Sequence, residues 1–277
     1  MQTLGVLFAL ASAAVWGAGD LGGGIAARRS HQFQVVFLSA ASGLLVLFVC
    51  WAIRGEAFPP PGSVLWAVLA GTSGVFGIAA LYRGLSLGSA ALVAPTAGVV
   101  GALVPVFFNA LTEGWPDAAQ VAGFACAMAG IWLVAKSSKA TAASLEGLRI
   151  AAFAGLGLGG FLVLIAQVPG TLVFGPLAVA RIVGLTVSLV VIVMRGLPVP
   201  GPSSNLVALG AGVLDAGGTV FYVFAKQYTR LDVAAVLSSL YPVSTVLLAR
   251  FLLKEHVTLA QGVGVVLCLA AVALIAS

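Results

Sequence analysis

Long apolar runs alternate with short polar breaks along the whole chain. Ten runs lie at about 4–25, 33–53, 63–85, 90–111, 117–135, 148–168, 173–194, 204–226, 232–253 and 258–276. Roughly 20 apolar residues cover the hydrocarbon core as a helix, so each run predicts one membrane span. Stop signals fill the breaks. Arg28-Arg29-Ser30-His31-Gln32 ends the first run, and Arg54-Gly55-Glu56 with Pro59-Pro60-Pro61 ends the second. Glu113 with Trp115-Pro116-Asp117 ends the fourth, and Pro198, Pro200 and Pro202 end the seventh. The longest connection, 136–147, opens on Lys136-Ser137-Ser138-Lys139; the other loops are too short to hold a domain. Ala9-Leu10-Ala11-Ser12-Ala13 imitates a leader cleavage site. No Lys or Arg precedes it and the apolar run continues, so it reads as part of the first span.

Composition agrees with the pattern. Of 277 residues 61% are hydrophobic and 8% charged, with a mean hydropathy of +1.16. Soluble domains carry about 25% charged residues. A soluble enzyme, a nucleic-acid binder and a disordered chain are therefore excluded. The net charge of +5 comes from scattered positions and forms no basic stripe. Cys50, Cys126 and Cys268 lie singly in apolar runs and are expected to be buried thiols.

Comparing the chain with itself adds the most information. A shift of 141 residues places Gly43 on Gly184, Arg54-Gly55 on Arg195-Gly196, and Pro59 and Pro61 on Pro200 and Pro202. It also places Gly71 and Gly77 on Gly212 and Gly218, and Gln120 and Gly123 on Gln261 and Gly264. Gly-rich chains match by chance, but Arg-Gly and Pro-x-Pro in one frame do not. The chain is thus read as two five-span repeats, 1–136 and 148–277, joined by a linker at 137–147. Five is odd, so the second repeat inserts upside down. The expected fold is an all-α integral membrane protein of ten transmembrane helices in two inverted halves, an arrangement of secondary transporters whose site lies between the halves.

The ninth run reads Leu237-Ser238-Ser239-Leu240-Tyr241-Pro242-Val243-Ser244-Thr245, and exits through Leu252-Leu253-Lys254-Glu255. With Ala13-Ala14-Val15-Trp16-Gly17 in the first run, this resembles the EamA family of the drug/metabolite transporter superfamily. The likeness covers essentially the whole chain. The fourth run departs from it: Ala94-Pro95-Thr96-Ala97-Gly98 lacks the Tyr-Pro pair, and Lys254 stands where many members have Gly. The resemblance implies a ten-helix exporter of amino acids or other small metabolites, with helices one to four and six to nine lining a central cavity.

Ionisable side chains deep in lipid cost roughly 2.5–3.5 kcal/mol on insertion scales. Three positions bear that cost: Asp20, Arg181 and Asp215. Asp215, Thr219, Tyr222 and Lys226 share one helical face, read as cavity-facing. Ser12, Trp16, Asp20 and Gly23 form a similar face, as do Ser238, Tyr241 and Thr245. Substrate-binding candidates are accordingly Trp16, Asp20, Tyr82, Arg181, Asp215, Thr219, Tyr222 and Tyr241. A carboxylate could hold an ammonium or exchange a proton, which makes Asp215 the proton-coupling candidate. A guanidinium could hold a carboxylate, and the aromatics supply walls. The plainer reading, that Arg181 and Asp215 only neutralise each other, stays open. Arg83, Lys226, Arg230, Arg250 and Lys254, at span ends, are expected to snorkel.

Pro95, Pro105 and Pro242 are expected to kink or break their helices, as gates or as static shape. Gly19-x-x-x-Gly23 and Gly155-x-x-x-Gly159 permit close helix approach. GxGxxG matches at Gly17 and Gly155 lie inside spans and lack the strand a dinucleotide site needs. Trp51, Trp66 and Trp115 sit near span ends, as interfacial aromatics do. His31 and His256 are isolated, so no metal site is expected, nor any cofactor.

Ten spans put both termini on one side. The side opposite the termini carries Arg28, Arg29, Arg83, Lys136, Lys139, Arg149, Arg195, Arg250 and Lys254; the other carries Arg54, Lys226 and Arg230. The positive-inside rule places the termini outside, whereas the resemblance implies inside, and the family pattern is preferred. The expectation is a monomeric, multi-pass inner-membrane carrier of a small solute, working by alternating access. A lipid or isoprenoid enzyme would need convergent acidic or His residues near one interface, and a channel would need a polar ring. The sequence has neither pattern.

Overall fold

Backbone in hydrocarbon must satisfy its N–H and C=O groups internally, so apolar runs fold as helices. In the computed structural model, which describes residues 2–86, 90–135, 145–252 and 258–276, the order is α1 (Gln2–Ala27), α2 (Gln32–Arg54), α3 (Pro61–Ser86), α4 (Ala90–Thr112), α5 (Ala118–Ala135), α6 (Leu145–Ile165), α7 (Phe174–Met194), α8 (Leu206–Tyr228), α9 (Leu231–Ser238), α10 (Tyr241–Leu252) and α11 (Leu259–Ala276). The described residues are helical apart from short connections, one of which holds a 3-10 turn at Pro202–Ser204. Six helices are long and apolar enough to cross a membrane by length and composition. Lys136, Lys139, Lys254 and His256 lie outside the described residues.

The sixth run ends at Ile165, within the bounds read from the sequence, and a turned segment leads into Pro169. One expectation is corrected. The ninth run is two helices, broken at Ser239-Leu240 ahead of Pro242 rather than at it. Pro242 has no N–H and stands in the first turn of α10, where none is needed. The Leu240 N–H turns back to the Leu237 carbonyl at 3.2 Å, a tightened turn that closes the break. Pro95 and Pro105, by contrast, sit within an α4 that runs unbroken.

The helix crossings come in pairs separated by the 141-residue shift. A Cβ at Gly71 would stand 2.6 Å from the Ala180 carbonyl oxygen, where α3 meets α7. One at Gly212 would overlap the Ser39 backbone, where α8 meets α2. Gly71 and Gly212 are equivalent under the shift, and so are Ser39 and Ala180. Likewise a Cβ at Gly157 would meet the Gly77 Cα at 2.6 Å, while the equivalent crossing sets Gly218 under the Trp16 ring. On α5 and α11, Gly123 faces the Ala271 carbonyl and Gly264 the Gly130 carbonyl. Small residues let backbones approach where no hydrophobic drive between helices exists. Many larger apolar side chains turn outward, among them Leu45, Ile53, Leu111, Met194 and Leu259, while Ala fills much of the interior beside buried Leu, Ile and Val.

Gly55 and Gly196, also 141 residues apart, end α2 and α7 in left-handed conformation, at φ 59° and 62°. Glycine adopts that region without a Cβ penalty. Beyond Gly55, the chain delivers Glu56 to the start of α7. Its carboxylate accepts the N–H groups of Val173, Phe174 and Gly175 at 2.9–3.1 Å, and Val173 offers no side-chain cap of its own. A carboxylate at orphan N–H groups on a helix N-terminus is stabilising. Replacing Glu56 by Ala is expected to cost about 1–2 kcal/mol, seen as a lower melting temperature in detergent; an unchanged melt would mean that the cap contributes nothing.

Arg230 does not simply snorkel. Its guanidinium grips the fully buried Asp232 carboxylate at 3.0 and 3.2 Å and the Gly114 carbonyl at 3.0 Å. The hydrogen bond to Asp232 raises the Arg230 pKa above its already high ordinary value. This contact ties the α4–α5 turn to the start of α9. Of the cysteines, Cys268 is buried, whereas Cys50 and Cys126 are only half-buried.

Candidate functional site

The crossings leave a cavity of about 130 Å³ between the helices. Its walls come from α1, α2, α3, α4, α6, α7 and α8, with Ser239 and Tyr241 from the broken ninth run; α5 and α11 contribute none of its lining. The break thus places Ser239 and the Tyr241 ring at the cavity.

Seven of the eight sequence-predicted residues line it: Trp16, Asp20, Tyr82, Arg181, Asp215, Thr219 and Tyr241. Arg181 on α7 and Asp215 on α8 form an ion pair whose side chains remain 19% and 32% exposed. Thr219 links them: it accepts from Arg181 Nη2 at 3.3 Å and donates to the Asp215 backbone carbonyl at 2.8 Å. The Trp16 indole N–H donates to the same carbonyl at 3.2 Å. Mutual neutralisation and a place at the cavity wall are therefore both true of this pair.

Asp20 lines the same cavity, half-buried, and has neither ion pair nor hydrogen bond to any described residue. Tyr82, 3% exposed, stands over Gly23, one turn beyond Asp20; a Cβ at Gly23 would overlap its hydroxyl. The Tyr82 hydroxyl has no partner among the described residues, and neither has that of Tyr241.

Tyr222 is the correction. It is fully buried and stacks against Trp16, with ring centroids 6.0 Å apart, and its hydroxyl donates to the Leu162 carbonyl at 2.9 Å. The face read as cavity-facing therefore holds only through Asp215 and Thr219. Beyond them α8 packs against α1, and the Tyr222 hydroxyl reaches the α6 backbone. The other two polar faces also serve crossings in part. Ser12 donates to the Gly218 carbonyl at 2.8 Å, and Thr245 to that of Gly17 at 3.0 Å.

The sequence reading missed Phe161, Ser39 and Ser239 in the wall. A signal for Phe161 existed in the repeat, because it is the equivalent of Asp20 under the 141 shift. The same shift relates Asp215 to Gly74, Arg181 to Ala40 and Thr219 to Ile78, and all of these line the cavity. The cage thus uses equivalent positions from both repeats, and the polar side chain occupies one member of each pair, charged in three of the four.

A family model described as the EamA-like transporter family matches residues 3–136 and again residues 145–277. The chain belongs to the EamA-like transporter family. It is accordingly a multi-pass membrane protein of the drug/metabolite transporter superfamily, whose members are transporters rather than enzymes. No curated protein matches the chain. A solved structure described only as the crystal structure of a protein is similar, with a TM-score of 0.75 at 21% identity over 98% of this chain and 95% of that one. At that identity the likeness shows the fold alone.

Proposed function

We propose that the protein is a secondary active exporter of a small polar metabolite, an amino acid or a related compound, held in the central cavity. The observation that carries this reading is a cavity walled by equivalent positions of both repeats, lined by an Arg181–Asp215 pair and by an Asp20 that has no partner among the described residues. Carriers place their site at such an interface between repeats. The paired crossings support an inverted arrangement of the halves, 1–136 and 148–277 around a linker at 137–147. Two similar halves of opposite orientation allow two related packings, one open to each side, which is alternating access.

In this reading the protein works as a monomer in the inner membrane, with both termini inside. Asp215 exchanges the coupling proton, and the break before Pro242 serves as a gate. Solute counterflow in proteoliposomes tests the carrier. Saturable exchange of a labelled metabolite is expected, whereas non-saturating flux would indicate a channel. Proton coupling is tested by Asp215→Asn, which is expected to abolish uptake driven by a pH gradient; unchanged uptake would remove Asp215 from that role. A reporter fused to the C-terminus checks the orientation, and an external signal would overturn it.

A further inference from the structure

We propose that the solute is a small organic cation whose ammonium is held by Asp20. This rests on the carrier reading above but departs from the amino acid named there: the solute is a related amine that lacks the carboxylate.

Among the described residues, three side chains that carry a charge in water at neutral pH line the cavity: Asp20, Arg181 and Asp215. Two of them cancel. Arg181 directs Nη1 to Asp215 and Nη2 to Thr219, and its Nε faces Gly43 on α2. Asp20 is left over. A carboxylate removed from water without a partner is costly, and a cation brought to it relieves that cost. The hydroxyls of Tyr82 and Tyr241, which also have no partner among the described residues, can both accept a hydrogen bond from an ammonium.

The rest of the wall suits the body of such a solute. Trp16, Phe161, Tyr82 and Tyr241 bring aromatic rings to the cavity, and ring faces attract cations while ring bodies attract apolar groups. An anionic solute fits poorly. It would compete with Asp215 for the Arg181 charge while repelled by Asp20. A zwitterion would satisfy Asp20 but bring its own carboxylate among walls whose one guanidinium is already engaged.

The test uses three probes that share a phenyl ring and differ in the head group: 2-phenylethylamine, phenylalanine and 3-phenylpropionate. Counterflow is measured in proteoliposomes of the full chain, corrected for protein-free liposomes. Saturable exchange of the amine is expected, about tenfold or more faster than that of the other two, since tenfold corresponds to the weak end of charge-pair discrimination. Asp20→Asn is expected to lower amine exchange about tenfold or more on the same argument, and Asp20→Glu to retain part of it.

Exchange of phenylalanine or phenylpropionate as fast as the amine overturns the proposal. So does a folded Asp20→Asn variant with unchanged amine exchange. Should that variant fail to fold, the order of the three probes on the wild-type protein decides. If none of the three exchanges but an uncharged, zwitterionic or anionic metabolite from a broad panel does, the cation class is wrong and the carrier reading stands; exchange of another amine alone supports the class. If nothing in the panel exchanges, both fall.

Discussion

Gly71→Leu and Gly212→Leu are each expected to abolish the folded protein. At Gly71 the first added carbon already stands 2.6 Å from the Ala180 carbonyl oxygen and 2.9 Å from its Cα. At Gly212 it would overlap the Ser39 backbone. In both places the obstacle is main chain in the middle of a facing helix, which no change of rotamer relieves. Overpacking a well-packed interior costs about 1–3 kcal/mol for small additions and more when backbones must separate. Ala is therefore expected to lower the melting temperature at either site, and Leu to remove the monodisperse peak in detergent gel filtration. Gly210→Ala is the control. It adds a methyl on an exposed face with nothing within 4 Å, and helix propensity favours Ala by about 0.8–1.0 kcal/mol. A melt of Gly71→Ala or Gly212→Ala equal to that of wild type would show that these crossings are looser than described.

Arg181→Ala is expected to cost both stability and transport. It leaves the half-exposed Asp215 carboxylate without its cation and frees the Thr219 hydroxyl oxygen. Breaking a fully buried pair costs about 3–5 kcal/mol. Because these side chains are 19% and 32% exposed to the cavity, about 1–3 kcal/mol is expected here, scaled from that range. Arg181→Lys should recover part of the stability, since an ammonium can face Asp215 but cannot fork to Asp215 and Thr219 together. The double variant Arg181→Ala/Asp215→Ala separates the two readings of the pair. Removing both charges is expected to restore much of the melting temperature. Transport is expected to stay lost if the pair belongs to the solute site. Recovery of counterflow in the double variant would mean that the pair only neutralises itself.

These expectations differ in how far the sequence alone supports them. Gly71 and Gly212 stood out because the 141-residue shift superposed them. What they touch was not readable, because periodicity gives the face of a helix and not the helix opposite. Tyr222 illustrates the same limit. Its spacing from Asp215 was right for a shared face, yet neighbouring helices cross α8 there, and Trp16 and the Leu162 carbonyl cover the ring. Arg230 at a span end looked like a snorkelling residue, and only the fold brought Gly114 and the buried Asp232 carboxylate around its guanidinium. Glu56 gave no signal beyond its charge. Its role arises from α7 starting where the α2–α3 loop passes.

The few charged residues led directly to the site. Asp20, Arg181 and Asp215 could be picked out because charge inside an apolar run is expensive and therefore rare. Their states could not be picked out, since all three look alike in a hydropathy profile.

By itself, the sequence determined the apolar runs, their doubling, the glycines at equivalent places and the three costly charges. Each of these depends on local composition and spacing, which a linear chain carries. The tertiary structure alone decided that the ninth run breaks at Ser239-Leu240, that Tyr222 is buried, and that Arg181 pairs with Asp215 while Asp20 has no partner among the described residues. Those outcomes depend on which helices become neighbours. Asp20 and Asp215 come from α1 and α8, far apart along the chain, and only the packing of the two repeats brings them to one cavity.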